Sequence, residues 1–201
     1  MEIYLIRHTT PLIQNGICYG QSDLDVTNSF VEESRLIKNV LPNNIERVYS
    51  SPLKRCTRLA SVVFPDQTIL LLDDLREINC GIWEMQAWDD IPKKELQPWM
   101  DDFVNVSIPG GESYTELHER VTRCFDSLRQ EKFTLAIIAH GGVIRSILSH
   151  ITNTPLKDSF NLFTLHYGCV IKLEQQEGIF TYRILHNIVP PQKEQHRPSH
   201  L

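Results

Sequence analysis

An arginine and a histidine stand side by side where an apolar run ends. The segment YLIRHTTP, residues 4–11, passes from apolar residues into Arg7 and His8 and then into two threonines. A guanidinium carries a permanent charge that is costly to bury without a counter-charge, so this corner either faces water or holds an anion. The same charge opposes a dication beside His8, and the sequence has no close His/Asp/Glu ligand spacing. We therefore predict no metal site.

Phosphoryl transfer is the chemistry that such residue types could perform. A neutral imidazole such as that of His8 can attack phosphorus and form a phosphohistidine, which splits a difficult hydrolysis into two displacements. The transferring group spreads negative charge over three equatorial oxygens, which Arg7, Arg55 and a second histidine would stabilise without a metal. An acid must also protonate the leaving oxygen, and the segment LREINCGIWE offers Glu77 and Glu84 for that role.

Apolar runs with the length of buried strands alternate with segments of helical spacing. The runs cover residues 3–6, 47–51, 68–72 and 134–139, and CVIKLEQQEGIFTYRIL near the end predicts an antiparallel hairpin. We expect an α/β fold, a three-layer sandwich with a mostly parallel central sheet, helices on both faces and an antiparallel edge hairpin. Glu112 is expected to stabilise the first turn of a helix that starts at Ser113, or alternatively to support the site residues from behind.

Two further strand ends lead directly into helices. Ser51 and Pro52 suit the N-cap and the first position of a helix whose opening turn holds Arg55. The strand in AIIAHGGVIR ends at His140, and a helix is expected from about Val143. The carboxyl ends of strands meet at one edge of an open α/β sheet, where helix N-termini attract anions. The three corners are therefore expected to converge.

Length and composition predict one domain with two irregular parts. The chain has 201 residues, of which 41% are hydrophobic, and we expect a single domain over residues 1–189. Residues 190–201 are polar and rich in proline, which predicts a disordered tail. Residues 83–109 hold all three tryptophans and interrupt the regular alternation. This insertion is expected to form a lid or specificity loop, or alternatively a short helix packed on the surface.

Charge and cysteine usage exclude several classes of partner. The formal net charge of −5 gives no support for a nonspecific grip on nucleic acid or anionic membranes. No apolar window is long enough to span a membrane and no leader pattern is present, so a cytoplasmic location is expected. The five cysteines are scattered without a CxxC pair, which indicates reduced thiols rather than disulfides or a zinc cluster.

Five motifs occur in the order found in one known family. LIRHTTP, SSPLKRCTRLA, LREINCGIWE, GGES and IIAHGGVIR cover residues 1 to about 148. Together they resemble the histidine phosphatase superfamily, whose fold is that of phosphoglycerate mutase. The resemblance implies that His8 is phosphorylated during turnover, that Arg7 and Arg55 hold phosphate, and that Glu77 donates the proton. It also implies that His140 donates to the transferring phosphoryl group.

The resemblance implies further binding residues and shows one departure. Gly141 would offer a backbone N–H to the phosphoryl group. The segment CYGQSDLDVT resembles the substrate-side loop of the family. The family's phosphate-binding asparagine falls at Gln14 by count, with Asn15 next to it, and the choice between them stays open. The family usually has glycine where this chain has Thr9, and we expect the loop to tolerate it. The residues expected on the substrate-side loop are Tyr19, Gly20 and Gln21.

The compact length and the pattern from Gly110 to Leu128 resemble the α-ribazole phosphatase branch of the family. This resemblance implies a hydrolase without a cofactor that acts on a small phosphorylated metabolite, with a homodimer as an option. A broad-specificity phosphatase and a phosphoglycerate mutase are the alternatives within the family. A noncatalytic phosphate-binding module, with Thr9 as a sign of a decayed site, is the alternative outside catalysis.

Overall fold

A six-stranded sheet forms the centre of the protein. The computed structural model describes residues 1–189, so the predicted tail at 190–201 lies outside the described residues. The strands are β1 (Glu2–Arg7), β2 (Arg47–Ser50), β3 (Ile69–Leu71), β4 (Leu135–Ala139), β5 (Val170–Gln176) and β6 (Ile179–His186). Their order is β3-β2-β4-β1-β5-β6. The first four are parallel, and β5 and β6 add an antiparallel hairpin at one edge, as predicted.

Helices cover both faces of this sheet. They are α1 (Phe30–Val40), α2 (Lys54–Val63), α3 (Lys93–Asp101), α4 (Tyr114–Leu128), α5 (Gly141–Thr152) and the short α6 (Ser159–Leu162). Alternate residues of β1 enter two different cores, because successive side chains of a strand point to opposite faces. Ile3 and Leu5 pack with α4 and α5, whereas Tyr4 and Ile6 pack with α1 and α2. The predicted three-layer α/β sandwich is confirmed.

Two predicted details of the helix starts are wrong. Helix α2 begins at Lys54 rather than at Pro52, because Leu53 is extended with ψ 138° and interrupts helical geometry. Ser51 is therefore not the N-cap, although its hydroxyl oxygen accepts from the Leu53 N–H at 3.3 Å. Glu112 does not act on the first turn of α4, where Ser113 and Glu116 form a reciprocal capping box.

The carboxylate of Glu112 instead accepts from Arg120 Nε at 2.7 Å and from the backbone N–H of Asn79 at 2.8 Å. It ties the start of α4 to the segment that carries Glu77, since Arg120 Nη2 also donates to the Glu77 carbonyl at 2.9 Å.

The insertion at residues 83–109 contains a packed helix and borders a cavity. Helix α3 and two short 3₁₀ turns, Gly81–Trp83 and Trp88–Asp90, enclose a small apolar core. Trp83 is fully buried there, while Trp88 and Trp99 reach the wall of the cavity described below. The insertion therefore contains a short packed helix, as in the second of the two alternatives. Its role in substrate specificity stays a prediction. Within residues 1–189, no helix is long and apolar enough to cross a membrane.

Candidate active site

The two motif histidines meet at the carboxyl edge of neighbouring strands. Arg7 at the end of β1 pairs with Ala139 at the end of β4, so His8 and His140 leave the sheet at the same level. Their ring centroids lie 5.1 Å apart in an edge-on arrangement. Both side chains are almost fully buried, with exposed fractions of 2% and 0%. The sheet register thus brings together two residues that the chain separates widely.

One nitrogen of the His8 ring is fixed by the backbone. Nδ1 lies 2.7 Å from the carbonyl oxygen of Thr9. A carbonyl can only accept, so a neutral ring carries its hydrogen on Nδ1 and keeps its lone pair on Nε2. Thr9 does not have a positive φ, and a threonine therefore fits here without backbone strain. The resulting tautomer is the one that a nucleophilic Nε2 requires.

His140 is held as a neutral ring. Burial, followed by the positive charges of Arg55 and then of neighbouring groups that include Arg7, lowers the pKa of His140 well below its ordinary value. Its Nε2 lies 2.8 Å from the hydroxyl oxygen of Ser51. Cys56 Sγ lies 3.6 Å from the same nitrogen, and burial raises the pKa of that thiol to about 12. His140 is therefore a neutral hydrogen-bonding group beside thiol and hydroxyl neighbours.

Arg55 projects into the site from the first turn of α2. It is fully buried, and its Nη1 and Nη2 donate to the carbonyls of Ser22 and Gly20 at 2.8 and 2.6 Å. Its Nε is buried and has no hydrogen-bond partner within residues 1–189. A buried guanidinium with an unsatisfied donor beside a cavity is well suited to an anionic ligand.

Arg7 is held between a carbonyl and an aromatic ring. Its Nη1 donates to the carbonyl of Leu165, and its guanidinium carbon lies 4.1 Å from the centre of the Tyr167 ring. The Tyr167 hydroxyl contacts that of Tyr19 at 2.7 Å, and the Tyr19 ring lies 5.5 Å from the Arg55 guanidinium carbon. A pair of tyrosines thus links the two phosphate-binding arginines predicted from the sequence.

Glu77, and not Glu84, borders the cavity. Glu77 Oε2 accepts from the backbone N–H of Gly142 at 3.0 Å. Glu84 instead accepts from the backbone N–H groups of Gly20, Gln21 and Ser22. Burial opposes its ionisation, but these hydrogen bonds and that of the Ser22 hydroxyl outweigh it and lower the pKa of Glu84. Glu84 is therefore an ionised carboxylate that holds the loop at residues 20–22, and of the two candidate acids only Glu77 lines the cavity.

The predicted binding residues divide into two groups. Tyr19 and Gly141 line the cavity. Gly20 and Gln21 lie behind it, where the Gly20 carbonyl holds Arg55 and Gln21 Nε2 donates to the Glu77 carbonyl at 3.0 Å.

Gln14 and Asn15 are exposed, and neither lines the cavity. The reason is a backbone hydrogen bond at the next residue, where the Gly16 carbonyl accepts from the Trp88 N–H at 2.8 Å. This contact draws Ile17 rather than the two amides to the cavity wall. The structure does not bring either amide into the site.

The cavity encloses about 130 Å³ and has two kinds of wall. One wall carries the polar side chains of Arg7, His8, Arg55 and Glu77, and the other is aromatic. His140 lies behind His8 and does not line the cavity. The aromatic wall consists of Trp88, Trp99, Phe103, Tyr114 and Phe160. Within the described chain, no cluster of three or more His, Cys, Asp or Glu residues is arranged to hold a metal ion.

The sequence reasoning missed Arg145 and Tyr167, as well as several apolar residues of the cavity wall. Arg145 lines the cavity from α5, one helical turn after Gly141, and only 8% of it is exposed. Its position within the motif IIAHGGVIR, at i+4 from Gly141, was the signal that could have found it. Tyr167 lies in the loop before β5, where no spacing points to the site.

Comparison with known proteins agrees with this geometry. The model of the histidine phosphatase superfamily (branch 1) matches residues 3–188. "Putative phosphoserine phosphatase 2" of Hydrogenobacter thermophilus is 27% identical over 190 residues, covering 90% of this chain and 94% of that protein. The adenosylcobalamin/alpha-ribazole phosphatase of Salmonella typhimurium is 24% identical over 196 residues, covering 93% and 96%.

A solved structure shows the same fold. The alpha-ribazole phosphatase of Shigella flexneri superposes with a TM-score of 0.82 at 21% identity, covering 92% of this chain and 95% of that one. The family match spans nearly all the described residues, and these two relatives are named as phosphatases. The chain belongs to the histidine phosphatase superfamily and is a phosphatase.

Proposed function

We propose that the protein is a metal-independent phosphomonoesterase that works through a phosphohistidine on His8. The observation that carries this proposal is the hydrogen bond from His8 Nδ1 to the Thr9 carbonyl, which assigns the lone pair of the neutral ring to Nε2, beside His140 and the cavity. Arg55, with its unsatisfied buried Nε, supports the binding of a phosphoryl group at the same place.

The first step transfers the phosphoryl group to the enzyme. The lone pair of His8 Nε2 forms a bond to phosphorus while the bond from phosphorus to the ester oxygen breaks. Arg7, Arg55 and neutral His140 donate hydrogen bonds to the equatorial oxygens. The protonated carboxyl of Glu77 gives its proton to the departing oxygen, so the alcohol leaves as a neutral product.

The second step restores the enzyme. A water molecule attacks the phosphohistidine, and the Glu77 carboxylate takes the proton that the water loses. The bond between phosphorus and Nε2 breaks, its electron pair returns to the ring, and inorganic phosphate is released. No metal or organic cofactor takes part, because the arginines supply the positive charge.

The substrate is a small phosphorylated metabolite, and three candidates compete. The sequence resemblance suggests α-ribazole phosphate, with a role in cobalamin synthesis, and the aromatic wall of the cavity suits its aromatic leaving group. Relatives named for phosphoserine and phosphoglycerate suggest phosphorylated acids. A broad-specificity phosphatase is the third candidate. A cytoplasmic location and a homodimer stay predictions.

The proposal is tested by turnover of p-nitrophenyl phosphate in excess EDTA. We expect full activity with the chelator and none in His8→Ala. Activity that stops with EDTA would indicate a metal-dependent hydrolase. Vanadate binding without any turnover would indicate the noncatalytic module. Rates on α-ribazole phosphate, phosphoserine, 3-phosphoglycerate and nucleoside monophosphates then rank the substrates.

A further inference from the structure

An arginine on α4 holds the backbone of the segment that ends at Glu77. Arg120 Nη1 donates to the carbonyls of Asp74 and Arg76 at 2.9 and 2.8 Å. Its Nη2 donates to the Glu77 carbonyl at 2.9 Å. Nε and Nη2 also donate to the two carboxylate oxygens of Glu112 at 2.7 and 2.9 Å. A guanidinium has five N–H donors, so each donor of Arg120 has a partner, and three of these partners are carbonyls of residues 74–77.

Glu112 holds the chain just beyond Glu77. Its Oε2 accepts from the Asn79 N–H at 2.8 Å, and its own N–H donates to the Asn79 carbonyl at 2.9 Å. The two backbones can approach this closely because residue 111 is glycine, where a β-carbon would lie 2.1 Å from the Asn79 carbonyl oxygen. The side chains of Arg120 and Glu112 are 13% and 20% exposed, so solvent screens this ion pair only partly. Residues 74–79 are therefore fixed against the start of α4 on both sides of Glu77.

The position of the Glu77 carboxylate depends on this backbone. Its Oε1 accepts from the N–H of Ile78, the next residue, at 3.0 Å, and its Oε2 accepts from the Gly142 N–H at 3.0 Å. The first hydrogen bond depends on the backbone conformation at residues 77–78, which Arg120 and Glu112 fix. The second joins the carboxylate to the start of α5. Helices α4 and α5 pack in one core, so the arginine on α4 sets where the carboxylate lies relative to α5.

We propose that Arg120 is a positioning residue for the acid, and that its guanidinium fixes residues 74–77 so that the Glu77 carboxyl reaches the leaving oxygen. This inference rests on the proposed phosphatase function and on the role of Glu77 in it. Arg120 does not line the cavity, so it acts through Glu77. Its loss should therefore impair protonation of the leaving group. A displacement of about 1 Å in a catalytic group can reduce the rate about 100-fold.

The test compares two esters that differ in their need for a proton. The readout is kcat/KM for glycerol 3-phosphate, an alkyl ester, and for p-nitrophenyl phosphate, whose leaving group departs without protonation. We expect Arg120→Met to lose about 10- to 100-fold on the alkyl ester and much less on the nitrophenyl ester, as Glu77→Gln should. Arg120→Lys keeps the charge beside Glu112 but has three donors instead of five, so it should show a smaller loss with the same pattern. Equal losses on both esters in folded Arg120→Met would overturn the proposal.

Arg123→Met is the matched control, because Arg123 is an exposed arginine on the same helix, three residues after Arg120. It removes the same charge from α4 without touching residues 74–79. It should keep the wild-type kcat/KM on both esters. The same selective loss in Arg123→Met would overturn the proposal, because it would show a general effect of charge on α4.

Amide hydrogen exchange separates this proposal from the proposed function, because it needs no turnover. The N–H groups of Gly142 and Ile78 donate to the Glu77 carboxylate, so their exchange rates report its position. The amide of Ile137, in the middle of the sheet, serves as the reference for global stability.

Relative to Ile137, we expect both amides to exchange about tenfold faster in Arg120→Met and at the wild-type rate in Arg123→Met, as the loss of one charged hydrogen bond would give. This result would support the positioning of Glu77 even if no ester is hydrolysed. Unchanged relative rates in Arg120→Met would overturn it even if hydrolysis is confirmed. If Arg120→Met does not fold, both measurements with Arg120→Lys decide.

Discussion

Gly142 gives a direct way to move Glu77 without replacing it. The glycine lies at the start of α5, and a β-carbon placed there would come within 2.3 Å of Glu77 Oε1 and 3.0 Å of Leu117 Cδ2. To regain an ordinary contact, the carboxylate must shift by about 1 Å, which also stretches its 3.0 Å hydrogen bond from the Gly142 N–H. The substitution Gly142→Ala therefore displaces the proposed acid.

A displacement of about 1 Å in a catalytic group can reduce the rate about 100-fold. We expect kcat/KM of Gly142→Ala to fall by about that factor for alkyl phosphates, whose leaving oxygen needs a proton. p-Nitrophenyl phosphate should lose much less, because p-nitrophenolate departs without protonation. The fold should survive, since alanine favours a helix over glycine by about 1 kcal/mol.

The assay measures kcat/KM for both kinds of ester in Gly142→Ala and in Glu77→Gln, with thermal unfolding as the folding control. The two variants should share one pattern, a large loss on the alkyl ester and a small loss on the nitrophenyl ester. Unchanged hydrolysis of alkyl phosphates by folded Gly142→Ala, or equal losses on both esters, would refute the assignment of Glu77.

Three further predictions concern the groups around this centre. The pKa of His140 is lowered in the folded protein, so below about pH 6.5 the unfolded chain binds a proton that the folded chain does not. His140 should therefore lower the free energy of unfolding by about 1.4 kcal/mol between pH 7.5 and pH 5.5. Urea unfolding of His140→Asn should lack this pH-dependent loss of stability. Tyr167→Leu removes the aromatic ring that stacks on the Arg7 guanidinium, and it should weaken competitive inhibition by inorganic phosphate about tenfold. An unchanged inhibition constant would contradict a role of Tyr167 in positioning Arg7. Glu84→Gln should lower the free energy of unfolding by about 1–3 kcal/mol, because it weakens the hydrogen bonds to the loop. It should not change the ratio of kcat/KM between the alkyl and the nitrophenyl ester. A selective loss on the alkyl ester, as expected for Glu77→Gln, would identify Glu84 as the acid.

The parts of the fold that repeat a simple pattern could be predicted from the sequence. Short apolar runs alternate with amphipathic segments, and each of the four predicted parallel strands lies within two residues of its predicted ends. The convergence of His8 and His140 followed from the same pattern, because both residues directly follow a buried strand.

What could not be predicted depends on contacts between distant segments. The exposure of Gln14 and Asn15 follows from a backbone hydrogen bond between Gly16 and Trp88, which no local pattern signals. Ser51 looks like a helix N-cap in the sequence, but α2 begins three residues later and the Ser51 hydroxyl also contacts His140. The burial of Arg145 could not be predicted, because an arginine inside a helix is usually exposed and only the packing of α5 against the cavity buries it.

The central claim is that His8 Nε2 is the nucleophile. Its most direct test is rapid alkaline quenching of the protein during turnover, followed by mass spectrometry and ³¹P NMR of the trapped phosphoenzyme. Since Nδ1 is engaged by the Thr9 carbonyl, the account predicts one acid-labile phosphate, on residue 8 and on Nε2. A phosphate on His140, a phosphate on Nδ1 of His8, or steady turnover with no phosphoenzyme would contradict it.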